Sequence, residues 1–353
     1  MMSSFAESDL SVNSTENNPI ISVVISIWNS GVTLFHCLEC LNSQTHANFE
    51  VIIVDNGSTD ETIKKLDNYS RLNLHLEKLN SNQGFAVANN IGARLARGRW
   101  LVFLNADAFP EPDWLDQLVK AAQENPQFTS FSSRQIQADA PELLDGAGDE
   151  YHVSGLAWRR LIGYPAKDYG HDPLELFSPC AAAAMYLREA FLQVGGFDED
   201  FFSYFEDIDL GFRLQLRGYR CLYVPRAVVH HIGSATFGQR SDFAFYHTHR
   251  NLIWTFVKNM PSTLLWRYLL AHIMANLIYT SYYTLRGRGW ILWKAKSDAL
   301  KELSKFIRKR REIQKHTNVA DSDLMRVMEH SWVKPYLLQY YARKARRTIG
   351  FLT

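Results

Sequence analysis

Cysteine is scarce: Cys37, Cys40, Cys180 and Cys221 are the only four among 353 residues. So few, and so scattered, they exclude a disulfide framework and fit a reducing compartment. Cys37 and Cys40 form a C-x-x-C, but it lies in the apolar-periodic stretch "VTLFHCLECLNSQ" and no second Cys/His pair follows. A buried helix face is expected there rather than a metal or redox centre. No G-x-G-x-x-G follows the first β-branched run, and no Walker A lysine motif occurs anywhere. The usual phosphate cradles of dinucleotide-binding and P-loop proteins are therefore missing. Long apolar runs are missing too. The most apolar stretch, "STLLWRYLLAHIMANLIYTSYYTL" (262–285), is interrupted by Arg267 and His272, so a buried or membrane-surface helix is expected rather than a span. The first 19 residues lack a basic segment followed by an apolar one, which points to a flexible tail and no signal peptide. No internal repeat is present.

Excess charge is absent only in sum. The formal net charge is +1, yet from Phe245 onward 20 Lys/Arg face 6 Asp/Glu, while residues 1–244 hold 18 against 31. A basic C-terminal part suggests a surface that meets an anion, lipid or nucleic acid, or a solvated basic helix. Hydrophobic content of 46% and charged content of 21% are those of a folded protein with a proper core.

What is present in the first half is an alternation of strand and helix patterns. "ISVVISIW" (21–28), "FEVIIVDN" (49–56), "LNLHLEK" (72–78) and "RWLVFLNADA" (99–108) read as strands. Helical stretches follow to about Gln44, after Thr59 or Asp60, over 84–96 and over 111–125. Near-continuous apolar strands separated by helices predict an α/β fold with a mostly parallel sheet covered on both faces. Ligands then belong at the carboxyl ends of the strands. Ser133–Pro179 is expected to be loop-rich, 180–197 a strand then a helix, and 218–225 a further strand. From about Asp242 the chain is expected to be helical and increasingly basic.

The acids fall where strands end. Asp55 closes "VIIVD" and Asp107 follows "VFLNA". A carboxylate there accepts from a ribose or base, holds a cation bridging phosphates, or merely caps the next turn. In "FFSYFEDIDLGFR" (201–213), Glu206, Asp207 and Asp209 open a helix beside an aromatic run. The dipole favours one or two acids at that end; a third beside an aromatic wall suggests a general base or further capping. The paired His230 and His231 in "VVHHIGSAT" follow a strand and offer a metal ligand or a core residue.

Together these motifs resemble the family 2 glycosyltransferases, inverting enzymes of the GT-A fold, and within them a rhamnosyltransferase-like bacterial subgroup. The resemblance runs from about Ile21 to Lys315 on "VVISIWNSG", "VIIVDNGSTDET", "NSNQGFAVANNIG", "LVFLNADAFPEPDWL", "VGGFDEDFFSYFEDIDLGFRLQLRGY", "VVHHIGSATFG" and "RNLIWTFVKNMP". It implies a nucleotide-diphospho-sugar transferase domain over 20–241; composition adds a tail over 1–19 and a helical region over 242–353 whose basic charge is expected to associate it with the membrane. It implies Asp207 as catalytic base with Glu206 in support, and Asp209 as a structural acid. Asp107 and His231 would be ligands of a divalent metal, Mg²⁺ or Mn²⁺. Asp55, Asn29, Asn82, Gly84, Asn105 and Ala106 would bind the nucleotide-sugar. Asn105 stands where many relatives have a second carboxylate, so the metal site keeps one acid. Phe201, Phe202 and Tyr204 would form an apolar wall for the sugar. The implied partners are a dTDP-, UDP- or GDP-linked sugar donor, a glycan or lipid-linked acceptor and an anionic membrane surface, with no nucleic acid. The implied location is cytoplasmic and peripheral on the inner face of the cell membrane, in polysaccharide synthesis. Two other classes compete. A sugar-nucleotide nucleotidyltransferase would need a Gly-rich, basic N-terminal loop that "SIWNSG" does not supply. A non-catalytic carbohydrate-binding relative would have no need to keep Asp55, Asp107 and Asp207 together.

Overall fold

A computed structural model describes residues 18–69, 72–233 and 241–348. Most of the tail expected at 1–19, and the Ser-Ala-Thr-Phe after the paired histidines, lie outside the described residues. The chain runs β1 (Ile21–Ile27), α1 (Gly31–Asn42), β2 (Phe49–Asp55), β3 (Leu74–Lys78), α2 (Phe85–Leu95), β4 (Trp100–Leu104), β5 (Ala108–Pro110) and α3 (Trp114–Glu124). It continues through β6 (Ser130–Gln137), β7 (Ala140–Gly146), β8 (Asp149–Tyr151), β9 (Ala157–Arg159), β10 (Leu174–Leu176), β11 (Ala183–Leu187), α4 (Arg188–Gln193), α5 (Glu206–Leu216) and β12 (Cys221–His231). Among the described residues six helices follow: α6 (Asp242–Asn259), α7 (Ser262–Leu285), α8 (Gly289–Lys301), α9 (Leu303–Lys315), α10 (Asp321–Val327) and α11 (Lys334–Thr348).

The apolar runs β4, β1, β2 and β3 lie side by side and parallel, with β1 between β4 and β2. Both faces of β4, β1 and β2 are buried because helices cover both, while β3 at the edge is only partly covered. Leu34 and Leu38 of α1 and Trp114 and Leu118 of α3 pack on one face. Ala86 and Ala93 of α2, Phe191 of α4 and Leu210 and Leu214 of α5 pack on the other. Beyond β4 the sheet turns mixed: β11 runs antiparallel to β4 and β6, while β6 and β12 are parallel.

Three sequence expectations change here. The segment 133–179 is loop-rich but not structureless; it completes β6 and holds β7 to β10, which are short or polar and so show no clear alternation. Even the serine-rich β6 is buried, and Ser133 accepts a hydrogen bond from Trp114 Nε1 at 2.8 Å. The helix expected after Asp60 is a 3-10 helix over Thr62–Tyr69. The last strand does not stop at Pro225: a bulge between Val224 and Val228 carries β12 on to His231, the setting in which a strand tolerates proline. The paired histidines are thus on the strand, not after it.

A third core joins the sheet layer to the C-terminal helices. Phe201, Phe212 and Leu216 pack with Trp254 and Phe256 of α6, Phe306 of α9 and Leu324 of α10.

Candidate active site

The parallel strands end on a cavity of about 1010 Å³. Nine of the ten residues singled out from sequence line it: Asn29, Asn82, Gly84, Asn105, Ala106, Asp107, Glu206, Asp207 and His231. Asp55 does not. It is buried at the end of β2, and its Oδ1 accepts from the Ser58 amide at 3.0 Å. The next residue, Asn56, faces the cavity instead. Asn56 Nδ2 donates to Asn82 Oδ1 (3.0 Å) and to the Gly84 carbonyl (3.1 Å), and its Oδ1 accepts from the Gln83 amide (2.8 Å). Gly84 has φ +90, and a Cβ there would stand 2.5 Å from the Phe202 carbonyl oxygen, so only glycine fits. Asn29, at φ 51, accepts from the Thr59 amide at 2.8 Å and ties the ends of β1 and β2 together.

Asp107 sits in the turn between β4 and β5, and β5 pairs antiparallel with the end of β12. Strand alternation separates the two histidines. His231 points into the cavity with Nε2 3.3 Å from Asp107 Oδ1, whereas His230 leaves the other way toward Glu111. The second ring nitrogen of His231, Nδ1, lies 2.8 Å from Asp145 Oδ2, and Asp145 is itself paired with Arg159. Burial works against charge on His231, but the carboxylates at its two nitrogens outweigh it and raise its pKa. Burial likewise opposes ionisation of Asp145, yet Arg159 and His231 hold its carboxyl below the usual range.

The three acids of "FFSYFEDIDLGFR" part company. Asp209 is fully buried and structural: it meets Arg213 (2.9 Å), Lys258 (2.6 Å) and Asn259 (2.7 Å). Glu206 is buried, and its Oε2 has no partner. Asp207 opens onto the cavity, its Oδ2 3.3 Å from the Ala181 amide that donates to it. The helix end alone does not keep these acids ionised. Burial raises the Asp207 pKa despite the amides of Ala181 and Ile208, and burial plus the neighbouring Asp207 pushes Glu206 well above the carboxylate range.

The backbone entering α5 is strained. Phe202, Tyr204 and Phe205 all take positive φ (65, 68 and 70). The Ser203 amide bonds the Phe201 carbonyl at 2.8 Å, closing a tight three-residue turn. Asn251 of α6 clamps it, its Nδ2 donating to the carbonyls of Phe201, Ser203 and Tyr204 at 3.0, 3.1 and 2.7 Å. The expected aromatic wall is corrected in one member: Phe201 belongs to the core against Trp254 and Phe306, while Phe202, Tyr204 and Phe205 reach the cavity. Trp158, Phe245, Tyr279 and Tyr283 extend that wall.

Sequence reasoning missed Asn56, Asp145, Asp149, Arg159 and Trp158. Asp149 is buried, its Oδ2 is unpartnered, and with Cys180 and Asp207 it forms a cluster whose ligand atoms lie within 4.8 Å of one another. Its pKa is pushed well up, by burial first and by Asp207 second. The only signal in the sequence was the glycine-punctuated stretch between Gly146 and Gly163. The C-x-x-C is as expected a helix face: Cys37 is buried, and its Sγ lies 3.8 Å from the Asn105 carbonyl.

Residues 22–195 match the family model described as glycosyl transferase family 2. An N-acetylglucosaminyl-diphospho-decaprenol L-rhamnosyltransferase of Mycobacterium tuberculosis is 31% identical over 250 residues, 62% of this chain and 78% of that protein. The O-antigen biosynthesis protein RfbC of Myxococcus xanthus is 30% identical over 225 residues, 60% of this chain. The chain spans less than half of several relatives: 17% of RfbC and 45% of Bacillus subtilis EpsH. Among solved structures, the mannosyltransferase PcManGT of Pyrobaculum calidifontis, in complex with GDP-Man and Mn²⁺, superposes with a TM-score of 0.53 at 18% identity. The match covers 88% of this chain and 86% of that one. TarS 1-349 of S. aureus, in complex with UDP, gives 0.52 at 18%, covering 92% and 87%. These likenesses identify the fold as GT-A.

Proposed function

The chain belongs to glycosyl transferase family 2, and from that membership we propose that it transfers a sugar, with inversion, from a nucleotide-diphospho-sugar to an acceptor hydroxyl. The observation that carries this is the opening of two unlike groups onto one cavity: the Asp207 carboxylate on one side, the Asp107–His231 pair on the other. Inverting transfer needs both, a base for the incoming hydroxyl and a holder for the departing diphosphate. Asp207 takes the hydroxyl proton as oxygen attacks the anomeric carbon from the face opposite the leaving group. Its raised pKa brings it nearer the working pH, where a base is both ionised and able to take a proton. Glu206, buried beside it, is not the base; it shapes the start of α5.

Asp107 and His231 suit a divalent cation. A carboxylate oxygen and an imidazole nitrogen converge at 3.3 Å, and Asp145 fixes the ring by accepting from Nδ1–H, which leaves the Nε2 lone pair toward Asp107. The imidazole makes the set less suited to Mg²⁺, which takes oxygen ligands, so Mn²⁺ is the proposed cation. When bound, the cation neutralises charge developing on the diphosphate. Asn29, Asn56, Asn82, Gly84, Asn105 and Ala106 hold the nucleotide-sugar, and Asp55 braces the turn that presents Asn56. The aromatic wall of Tyr204, Phe205 and Trp158 stacks on sugar rings. A rhamnosyl donor, a lipid-diphosphate-linked acceptor and a place in surface polysaccharide synthesis are supported by the names of the Mycobacterium and Myxococcus relatives.

The experiment is a thermal-shift screen of dTDP-, UDP- and GDP-sugars with and without Mn²⁺, followed by transfer assays on D207N. The variant should keep Mn²⁺-dependent nucleotide-sugar binding and lose at least about 10²-fold in transfer. Undiminished transfer by D207N would remove Asp207 as the base.

A further inference from the structure

α7 is apolar on two sides, and among the described residues only one is covered. Its inner side buries Leu264, Tyr268, His272, Ala275 and Thr280. Its outer side, at i, i+3, i+4 spacing, presents Trp266, Leu270, Ile273, Met274, Leu277 and Ile278, each between 45 and 73% exposed. A helix apolar all round belongs in apolar surroundings. This stripe runs for about 18 Å at 1.5 Å per residue, too continuous for the scattered apolar residues of an ordinary surface. The packed neighbour α8 adds exposed Trp290 and Trp293.

The charge on the two helices is mostly of one sign, although Arg288 is paired with Asp242 of α6 at 2.6 Å and Lys296 is buried. Residues 262–301 hold six Lys/Arg and a single acid, Asp298. That acid is already paired with Lys301 at 2.7 Å. Arg267 stands beside Trp266 within the exposed stripe, and Arg286 lies 4.1 Å from the Tyr282 ring at its far end. Leucines and tryptophans flanked by arginines compose an interfacial helix. A second copy is the weaker occupant, since two such faces would bring Arg267 and Arg286 of one copy against those of the other.

We infer that the outer face of α7, with α8 beside it, docks on an anionic lipid bilayer, α7 lying in the plane of the headgroups. The consequence reaches the cavity, because Tyr279 and Tyr283 of α7 line its wall while their neighbours Ile278 and Tyr282 face outward. Docking therefore sets the cavity wall against the bilayer, where a membrane-anchored acceptor presents its headgroup to Asp207. This last clause rests on the glycosyl-transfer reading; the docking itself does not.

The test is flotation of the intact protein with phosphatidylglycerol–phosphatidylcholine vesicles, against phosphatidylcholine alone, for wild type and L270Q/L277Q. Both leucines are exposed and outside the cavity, so Tm and Mn²⁺-dependent nucleotide binding should not change. Wild type should float with the anionic vesicles, and less so in high salt; the double variant should bind them at least about tenfold more weakly. Equal flotation of the two proteins, or none by wild type, overturns the proposal. So does a concentration-dependent dimer, seen by light scattering, that the double variant abolishes. D207N should float like wild type; if it also transfers sugar normally, the catalytic reading fails while docking stands.

Discussion

Glu206 lines the cavity but is largely buried, and its Oε2 is shut from solvent with no partner among the described residues. Its folded-state pKa lies well above the ordinary value, through burial first and the Asp207 charge second. Below the unfolded-state pKa both states are protonated and folding incurs no penalty. As pH rises from there toward the folded value, the unfolded chain ionises and the folded one does not, so stability is lost with rising pH. Glu206→Gln keeps the shape and removes the proton equilibrium. Its Tm should exceed wild type at pH 8 and match it near pH 4 in paired scanning calorimetry; a lower Tm at pH 8 would show that the carboxylate is needed. At this scale Asp107 and Asp207 were legible, because a strand end and a helix start are local signals. The residues alone left His230 and His231 open and the resemblance favoured His231; the strand's register gives the physical reason, and Asp145 and Asp149 were hidden in strands too short or irregular to show a period.

At the scale of elements, the reactive edge of α5 depends on α6. Three non-glycine residues in the left-handed region cost about 1–3 kcal/mol each, and the Asn251 amide is what holds that turn in place. Asn251→Ala should release the Phe202–Phe205 turn and displace Asp207. A misplacement of about 1 Å costs on the order of 10² in rate, so kcat should fall by that order. Donor affinity, read by calorimetry with Mn²⁺, should change far less, because Asp107 in the β4–β5 turn and His231 on β12 do not depend on that turn. An equal loss in both would place Asn251 in general stability rather than in positioning. The role of "RNLIWTFVKNMP" was not legible: a motif shows that residues recur in order, while three carbonyls converging on one side chain is a fact of tertiary packing.

For the whole molecule, the division between 20–241 and 242–353 does not correspond to separate cores. Phe201, Phe212 and Leu216 pack against Trp254, Phe256 and Phe306, and Lys258 of α6 joins Asp198 (2.5 Å) and Asp209 (2.6 Å). Calorimetry should therefore give one unfolding transition. Lys258→Met, which strips these buried carboxylates of a shared cation, should destabilise by about 3–5 kcal/mol in urea titration. Two resolved transitions, or a near-neutral Lys258→Met, would mean that the C-terminal helices fold independently.

By itself the sequence determined the α/β layering, the parallel apolar strands, the placing of acids at strand ends and a helix start, and the family. All of these follow from periodicity, turn residues and motif order, which are local in the chain. Only the tertiary structure decided that β12 runs through Pro225 to His231, that Asp145 turns His231 toward Asp107, and that Phe201 is core while Phe202 is wall. It also decided that one face of α7 is covered by none of the described residues. Each of these depends on which distant segments come together, and an apolar residue carries no mark of whether protein or bilayer will cover it.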